Sequence, residues 1–520
     1  LRIKDTEKCA HPSIYRALTT QTISNNTSDD KLTIFSSFGL VKSFGAYKKL
    51  GFVLGPLLCI GILAWPGTLI TPTLDPVFAV ATWMVLWWIT EAVSISVTAL
   101  LPLALFPLLG IMDIKSVSSN YANPIVYLFF GGFVIALALE RVQLHKRIAL
   151  SILKLTGTRA NGIVLGFMIA TALMSMWISN TASTVVMLPI AASVIGLLMN
   201  DADGFTKNDQ NFALAVMLGI AFSANIGGMA TLIGTPPNSV MLAFLNESYQ
   251  IDIGFFEWMK MGVPISILLM TIAYFLLVKV FYPNRLGNLS SSANVIDSEL
   301  KKLGPMSRGE RLVLTLFLLT ALAWILRSSL NQWFPNLGLT DTTISMIAAV
   351  AMFVVPIRFK QGEFPLQWKD TQRLPWGILV LFGGGLALAS GLTQAGFIDL
   401  IGDYITQQED WSVWVVTAVL IFLMLFMTEL MSNVALVTIL VPLVVGIAIG
   451  METSILQMVI PVTLAASCAF MLPMATPPNA IVFASGYIKV HQMARIGVVL
   501  NLISVIVLIL LANYFIPLLF

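Results

Sequence analysis

Charge is what this chain has least of. Asp, Glu, Lys and Arg make up 11% of its 520 residues, against 57% hydrophobic ones, where a soluble domain carries about 25% charged residues. A surface balanced for water is therefore excluded. Cysteine is scarce as well: Cys9, Cys59 and Cys468 form no spaced framework, so neither a disulfide scaffold nor a thiolate metal site is implied. His11, His145 and His491 lie outside the long apolar runs and read as loop or interface residues. There is no His-Glu-x-x-His, no Gly-x-Ser-x-Gly and no pair of catalytic carboxylates, so an enzyme is not expected. Nor does a net charge of +3 suggest a nucleic-acid partner.

What is present is a series of charge-free runs: Leu50–Leu74, Ser116–Leu139, Met261–Val278 and Ile496–Phe520 among them. Each is near the roughly 20 residues a helix needs to cross the hydrocarbon core. Continuous apolar runs without alternation mean helices, because backbone polar groups in lipid must be satisfied within the segment. The expected class is an all-α polytopic membrane protein with the lipid bilayer as its solvent. Spans are expected near 50–70, 76–92, 96–112, 118–140, 211–246, 257–279, 310–328, 342–357, 374–398, 453–488 and 494–518. Two stretches, 161–200 and 411–450, are too long for one crossing and centre on Ser-Asn; each reads as two spans or as a re-entrant hairpin. Residues 1–49 are polar and lack a signal-peptide layout. They read as a cytoplasmic arm with one interfacial turn near Ile34–Val41, and the Leu1 start suggests a natural start upstream. With that arm inside, only Lys115, Lys260 and Arg327 of the 29 basic residues fall outside, as the positive-inside rule requires. The C-terminus then lies on the opposite side.

The chain also repeats itself. Phe130-Gly131-Gly132 recurs as Phe382-Gly383-Gly384, and Ser175-x-x-x-Ser179-Asn180-Thr181-Ala182 as Thr428-x-x-x-Ser432-Asn433-Val434-Ala435. Pro189 and Pro442 follow at equal distance, and Gly234-Thr235-Pro236-Pro237-Asn238 recurs as Ala475-Thr476-Pro477-Pro478-Asn479. Five crossings separate the two Ser-Asn sites, an odd number, so the halves have opposite topology. Inverted repeats with interrupted helices at matching places point to a transporter with a midplane site. The expected organisation is a first helix at 50–75, a repeat at 76–282, a cytoplasmic linker at 283–307 and a repeat at 308–520. Hairpin 161–200 and broken helix 211–246 belong to the first repeat, hairpin 411–450 and broken helix 453–488 to the second.

The chemistry follows from the breaks. Pro236-Pro237 removes two donors and displaces the carbonyls of Leu232 and Ile233; Pro477-Pro478 does the same to those of Pro473 and Met474. Freed carbonyls attract cations, and the N–H groups that open the next half-helix attract anions. Ser, Thr and Asn side chains can ligate a hard cation or donate to a carboxylate or sulfate. The same residues often serve as interhelical hydrogen-bonding glue; duplication of the whole set favours a site. The paired glycines read as packing surfaces, and Glu91 and Glu140, near span ends, as anchors. Glu429, three residues before Ser432, reads equally as ligand or anchor.

The stretch Ala466-Ser467-x-x-Phe470-x-x-Pro473-Met474-Ala475-x-x-x-Asn479-x-Ile481-Val482 resembles the signature of the divalent anion/sodium symporter family. Glu91-Ala92 followed by Val97-Thr98-Ala99-Leu100-Leu101-Pro102 resembles its early helices. The resemblance spans about residues 50–520 and implies a homodimer of eleven crossing helices plus two re-entrant hairpins, moving by an elevator mechanism. It implies sodium as coupling ion, one site at Ser175, Ser179, Asn180 and Gly234, and a second at Thr428, Met431, Asn433 and Ala475. A small dicarboxylate such as succinate, malate or fumarate would meet Ser179, Asn180, Thr181, Thr235 and Pro236 from one repeat. From the other it would meet Ser432, Asn433, Val434, Thr476 and Pro477. Two departures stand out. Val434 replaces a threonine common in dicarboxylate carriers, and Ser94 and Ser96 replace prolines, an exchange expected to concern helix bending only. A sodium-independent dicarboxylate exchanger and a sulfate or citrate carrier remain alternatives.

Overall fold

The structure, a computed structural model, describes residues 46–199, 205–407 and 411–520. The turn expected near Ile34–Val41 lies outside the described residues, and residues 46–49 are all that is described of the expected arm. Leu50–Phe520 forms one compact unit. Among the described residues there are helices and two isolated bridges but no strand. The protein is all-α, as its apolar runs require.

The chain opens with α1 (Ala46–Leu63), α2 (Leu74–Thr90), α3 (Ile95–Leu108) and α4 (Ile114–Arg141). Then follow α5 (Leu144–Leu155), α6 (Ala160–Ser175), α7 (Asn180–Met199), α8 (Lys207–Gly228) and α9 (Pro236–Tyr249). After α10 (Phe255–Phe281) come α11 (Ser290–Leu303), α12 (Arg308–Trp333) and α13 (Asp341–Val354). The last part holds α14 (Trp376–Gln394), α15 (Phe397–Thr406), α16 (Val413–Thr428), α17 (Asn433–Gly450), α18 (Ile455–Ala465) and α19 (Pro477–Ala484). The final helix is α20 (Val490–Leu519). Among the described residues nine helices (α1, α4, α7, α8, α10, α12, α14, α17 and α20) are long and apolar enough to cross a membrane. The expected spans over 76–92, 96–112 and 342–357 are the shorter apolar helices α2, α3 and α13.

Three helices were not among the expected elements. Helix α5 buries Leu144, Ala149, Leu150 and Leu153 and carries His145, Lys146, Arg147 and Lys154 besides, an amphipathic pattern too short and too charged for a span. Helix α15 occupies the matching place after α14. Most of the expected linker 283–307 is helix α11, which packs on α5. Lys146 Nζ reaches Glu299 Oε2 at 2.8 Å, and Arg147 Nε reaches Glu310 Oε1 at 2.6 Å.

The paired glycines are packing surfaces. A Cβ on Gly131 would overlap Ser345, and one on Gly384 would overlap the Ala99 backbone. Gly132 faces Ile233, and Gly385 faces Thr438 on α17. Ser96 does more than spare a helix bend: its hydroxyl donates to the carbonyl of Gly377 at 3.0 Å, tying α3 to α14.

Candidate functional site

In each half a helix pair joined by a four-residue turn is followed by a helix broken before Thr-Pro-Pro-Asn. In the first half α6 and α7 meet through residues 176–179, and α8 stops at Gly228. It stops beside α6, where a Cβ on Gly227 would lie 2.4 Å from the carbonyl oxygen of Ala172. The chain restarts as α9 with proline at its first position, where a missing N–H is tolerated. The second half does likewise with α16, α17, α18 and α19.

The two turns hold the same oxygen arrangement. The Ser175 hydroxyl lies 2.6 Å from the Asn180 side-chain amide and 2.7 Å from the Ala224 carbonyl. The Thr428 hydroxyl lies 2.7 Å from Asn433 Oδ1 and 2.7 Å from the Ala466 carbonyl. A hydroxyl has one proton to donate, so each stands among more oxygens than it can serve. In the first half Gly234 adds another acceptor: its carbonyl lies 3.3 Å from the Asn180 amide, and that of Ala224 lies 3.2 Å away. Two occupants satisfy such a surround. Either the amide turns its nitrogen inward, or a cation sits among the oxygens. The donor set is oxygen only, as a hard monovalent or divalent cation prefers.

Not every freed carbonyl faces such a position. The amide of Asn238 donates to the Thr231 carbonyl at 2.9 Å, and the Ser239 hydroxyl takes that of Leu232 at 3.2 Å. Leu232, expected to offer its carbonyl to a cation, is thus already served. In the second half the Asn479 amide donates to the Ala469 and Leu472 carbonyls at 3.0 and 3.1 Å. The final Asn of Thr-Pro-Pro-Asn holds its own break together.

The second break is longer, and Glu429 is what it leans on. Oε1 accepts the N–H groups of Phe470 at 2.8 Å and Met471 at 2.9 Å, and Oε2 that of Leu472 at 3.0 Å. The Asn501 amide on α20 donates to Oε1 at 2.7 Å. Four donors aimed at one buried carboxylate make Glu429 an anchor for unwound backbone. The matching position in the first half is Met176, where the Thr231 hydroxyl donates to the backbone carbonyl at 2.5 Å. Asn225 was not singled out from the sequence. Its amide reaches across the halves to the Ala469 carbonyl at 3.2 Å and the Thr476 hydroxyl at 3.1 Å. Its only mark in the sequence is an amide within a charge-free run, which no repeat accompanies.

The halves exchange partners. Helix α7 packs on α19 and α17 on α9, so the second helix of each pair meets the half-helix of the other half. All four start at the turns or breaks. Their N-termini carry partial positive charge, and neither turn nor break contains Arg or Lys.

The candidate residues divide by depth. Ser175, Thr428, Gly234, Ala475, Thr235 and Thr476 are buried; Asn180, Met431, Ser432, Asn433, Val434 and Pro236 are half-buried; Ser179, Thr181 and Pro477 are exposed. The structure brings Ser175, Asn180 and Gly234 together, and Thr428 with Asn433. Ser179 instead caps α7, accepting from the Ala182 N–H at 3.2 Å. Its hydroxyl proton stays free to donate. Thr476 caps α19, accepting from the Asn479 N–H at 3.4 Å. Met431 lies within the second turn and Ala475 at the end of the second break.

Residues 48–520 match the profile described as the sodium:sulfate symporter transmembrane region. A Staphylococcus saprophyticus protein named sodium-dependent dicarboxylate transporter SdcS is 37% identical over 492 residues, 94% of this chain and 95% of that protein. Its Staphylococcus aureus namesake is 37% identical over 498 residues, 94% of each chain. Among solved structures, the Alcanivorax borkumensis YdaH transporter overlays with a TM-score of 0.50 at 13% identity, covering 77% of this chain and 87% of that one. Neisseria gonorrhoeae MtrF overlays with a TM-score of 0.50 at 12% identity, covering 93% and 97%. These two likenesses concern fold alone.

Proposed function

Because the chain belongs to the sodium:sulfate symporter family, we propose that it is a secondary active transporter carrying a small dicarboxylate such as succinate, malate or fumarate, coupled to sodium. The observation that carries this reading is the duplicated oxygen cluster around Ser175 and Thr428. Each cluster would take one sodium ion, with Asn180 and Gly234 in the first and Asn433 in the second; Ser179, Met431 and Ala475 would complete the sets.

The more open residues would take the substrate. Ser179, Asn180, Thr181 and Thr235-Pro236 would face one carboxylate, and Ser432, Asn433, Val434 and Thr476-Pro477 the other. With no Arg or Lys present, the dianion would be neutralised by two sodium ions and four helix N-termini. Coupling then follows from charge: neither carboxylate is well held until the cations are in place.

In this reading 76–282 and 308–520 are inverted repeats, the pairs α6–α7 and α16–α17 are re-entrant hairpins, and α5 and α15 link a fixed frame to the part that moves. The chain works as a homodimer by an elevator movement, its N-terminus cytoplasmic. The test is uptake of labelled succinate into proteoliposomes with and without an inward sodium gradient. Gradient-dependent uptake is expected. Uptake indifferent to sodium but driven by internal dicarboxylate would replace symport with exchange, and competition by sulfate or citrate alone would replace the substrate.

A further inference from the structure

A cleft of about 290 Å³ lies away from the central site, where the end of α4, the start of α12 and the segment after α13 come together. Arg141, Arg308 and Arg358 all line it. Arg141 pairs with Asp370, and Arg358 Nε lies 3.6 Å from Glu363 Oε2. The Arg308 side chain makes no ion pair or hydrogen bond among the described residues. Three guanidiniums against two carboxylates leave one positive charge in excess. The wall at Ser307–Gly309 is the cap and first residues of a 26-residue helix; its capping box takes the N–H groups of Ser307 and Glu310 and leaves those of Arg308 and Gly309 with no partner within the helix.

Height in the bilayer gives the ligand. Arg141 ends apolar helix α4, Arg308 begins α12 and Arg358 follows α13, so the cleft sits where three helices leave the hydrocarbon. Phe359, Trp368 and Trp376, from the segment that walls it and the start of α14, are exposed, as aromatic side chains at headgroup level are. Lys360, Lys369 and Arg373 add charge to the same segment. Guanidinium forks match phosphate oxygens two at a time, and basic pockets between membrane helices suit acidic lipid headgroups.

We propose that this cleft binds the phosphate of an anionic phospholipid, with Arg308 as its main contact, Arg141 and Arg358 beside it and the acyl chains running past the exposed aromatics. The inference needs only a membrane-embedded chain, not the transport reading. Its test is retention of phosphatidylglycerol by the full-length protein, extracted from bilayers of mixed phosphatidylglycerol and phosphatidylcholine and weighed intact by mass spectrometry. R308Q removes no bond among the described residues, so its fold is expected to hold, with thermal midpoint as the check. Retention should fall about fivefold in R308Q, the loss expected for one basic residue at an acidic membrane surface. It should not change in K115Q, the exposed control on another wall of the protein. Equal retention by wild type and R308Q would overturn the proposal. So would displacement of the lipid by excess inorganic phosphate, which would make the cleft a site for a free anion.

Discussion

Ser175 and Thr428 are small changes in chemistry at matching points, and both put a hydroxyl between two oxygens. Ser175→Ala and Thr428→Ala each delete one hydroxyl and leave the backbone untouched. Each is expected to raise the sodium concentration for half-maximal uptake by about tenfold, the cost of one charge-assisted hydrogen bond or its equivalent. Sodium titration of succinate uptake measures this, and unchanged curves in both variants would remove the hydroxyls from the ion sites. Val434→Thr restores a hydroxyl donor beside Asn433 on the half-buried side of the second turn. Its expected effect is on substrate preference, a severalfold lower KM for succinate with sodium dependence intact. At this scale the paired oxygen clusters of the candidate site were legible in the sequence, because Ser-Asn and Thr-Pro-Pro-Asn each occur twice in the same order. Asn225 was not, since a single amide in an apolar run has no repeat to mark it.

At the scale of elements, the breaks depend on side chains that reach unwound backbone. Glu429→Ala withdraws an acceptor from three N–H groups and the Asn501 amide at once. A loss of about 3 kcal/mol is expected, in the range for a buried network deprived of its central group. Thermal unfolding in detergent should show it as a lower midpoint, and Glu429→Gln, which keeps one oxygen, should lose less. An unchanged midpoint for Glu429→Ala would make the residue a ligand and not an anchor. The broken helices could be read from proline pairs inside runs otherwise long enough to span. Helices α5, α11 and α15 could not. Each is short and mixed in character, and its stability comes from packing that a local window does not contain.

Across the whole molecule, Gly132 on α4 and Ile233 in the first break test whether the parts slide. A Cβ built on Gly132 lies 3.5 Å from that of Ile233, within disulfide range. A cysteine pair at 132 and 233, in a background without the native cysteines, should cross-link on mild oxidation and stop uptake, with reduction restoring it. Full uptake by cross-linked protein would exclude an elevator in which α4 belongs to the fixed frame. Here the sequence said least. Lys and Arg carry only an expected sidedness, and which helix faces which is a matter of packing between residues hundreds of positions apart.

The partner exchange between halves has a consequence for how the chain is made. Helix α17, on which α9 packs, emerges about 180 residues later, roughly ten to forty seconds at ordinary rates of synthesis. Through that interval the first break must survive in the bilayer without its final neighbour. It is built to do so: Asn238 and Ser239 serve carbonyls only seven residues upstream. The second break draws on Glu429 before it, Asn501 after it and Asn225 more than 200 residues before it. By then those helpers are in place or about to be. The half made first is self-supporting, and the half made second is finished by its surroundings.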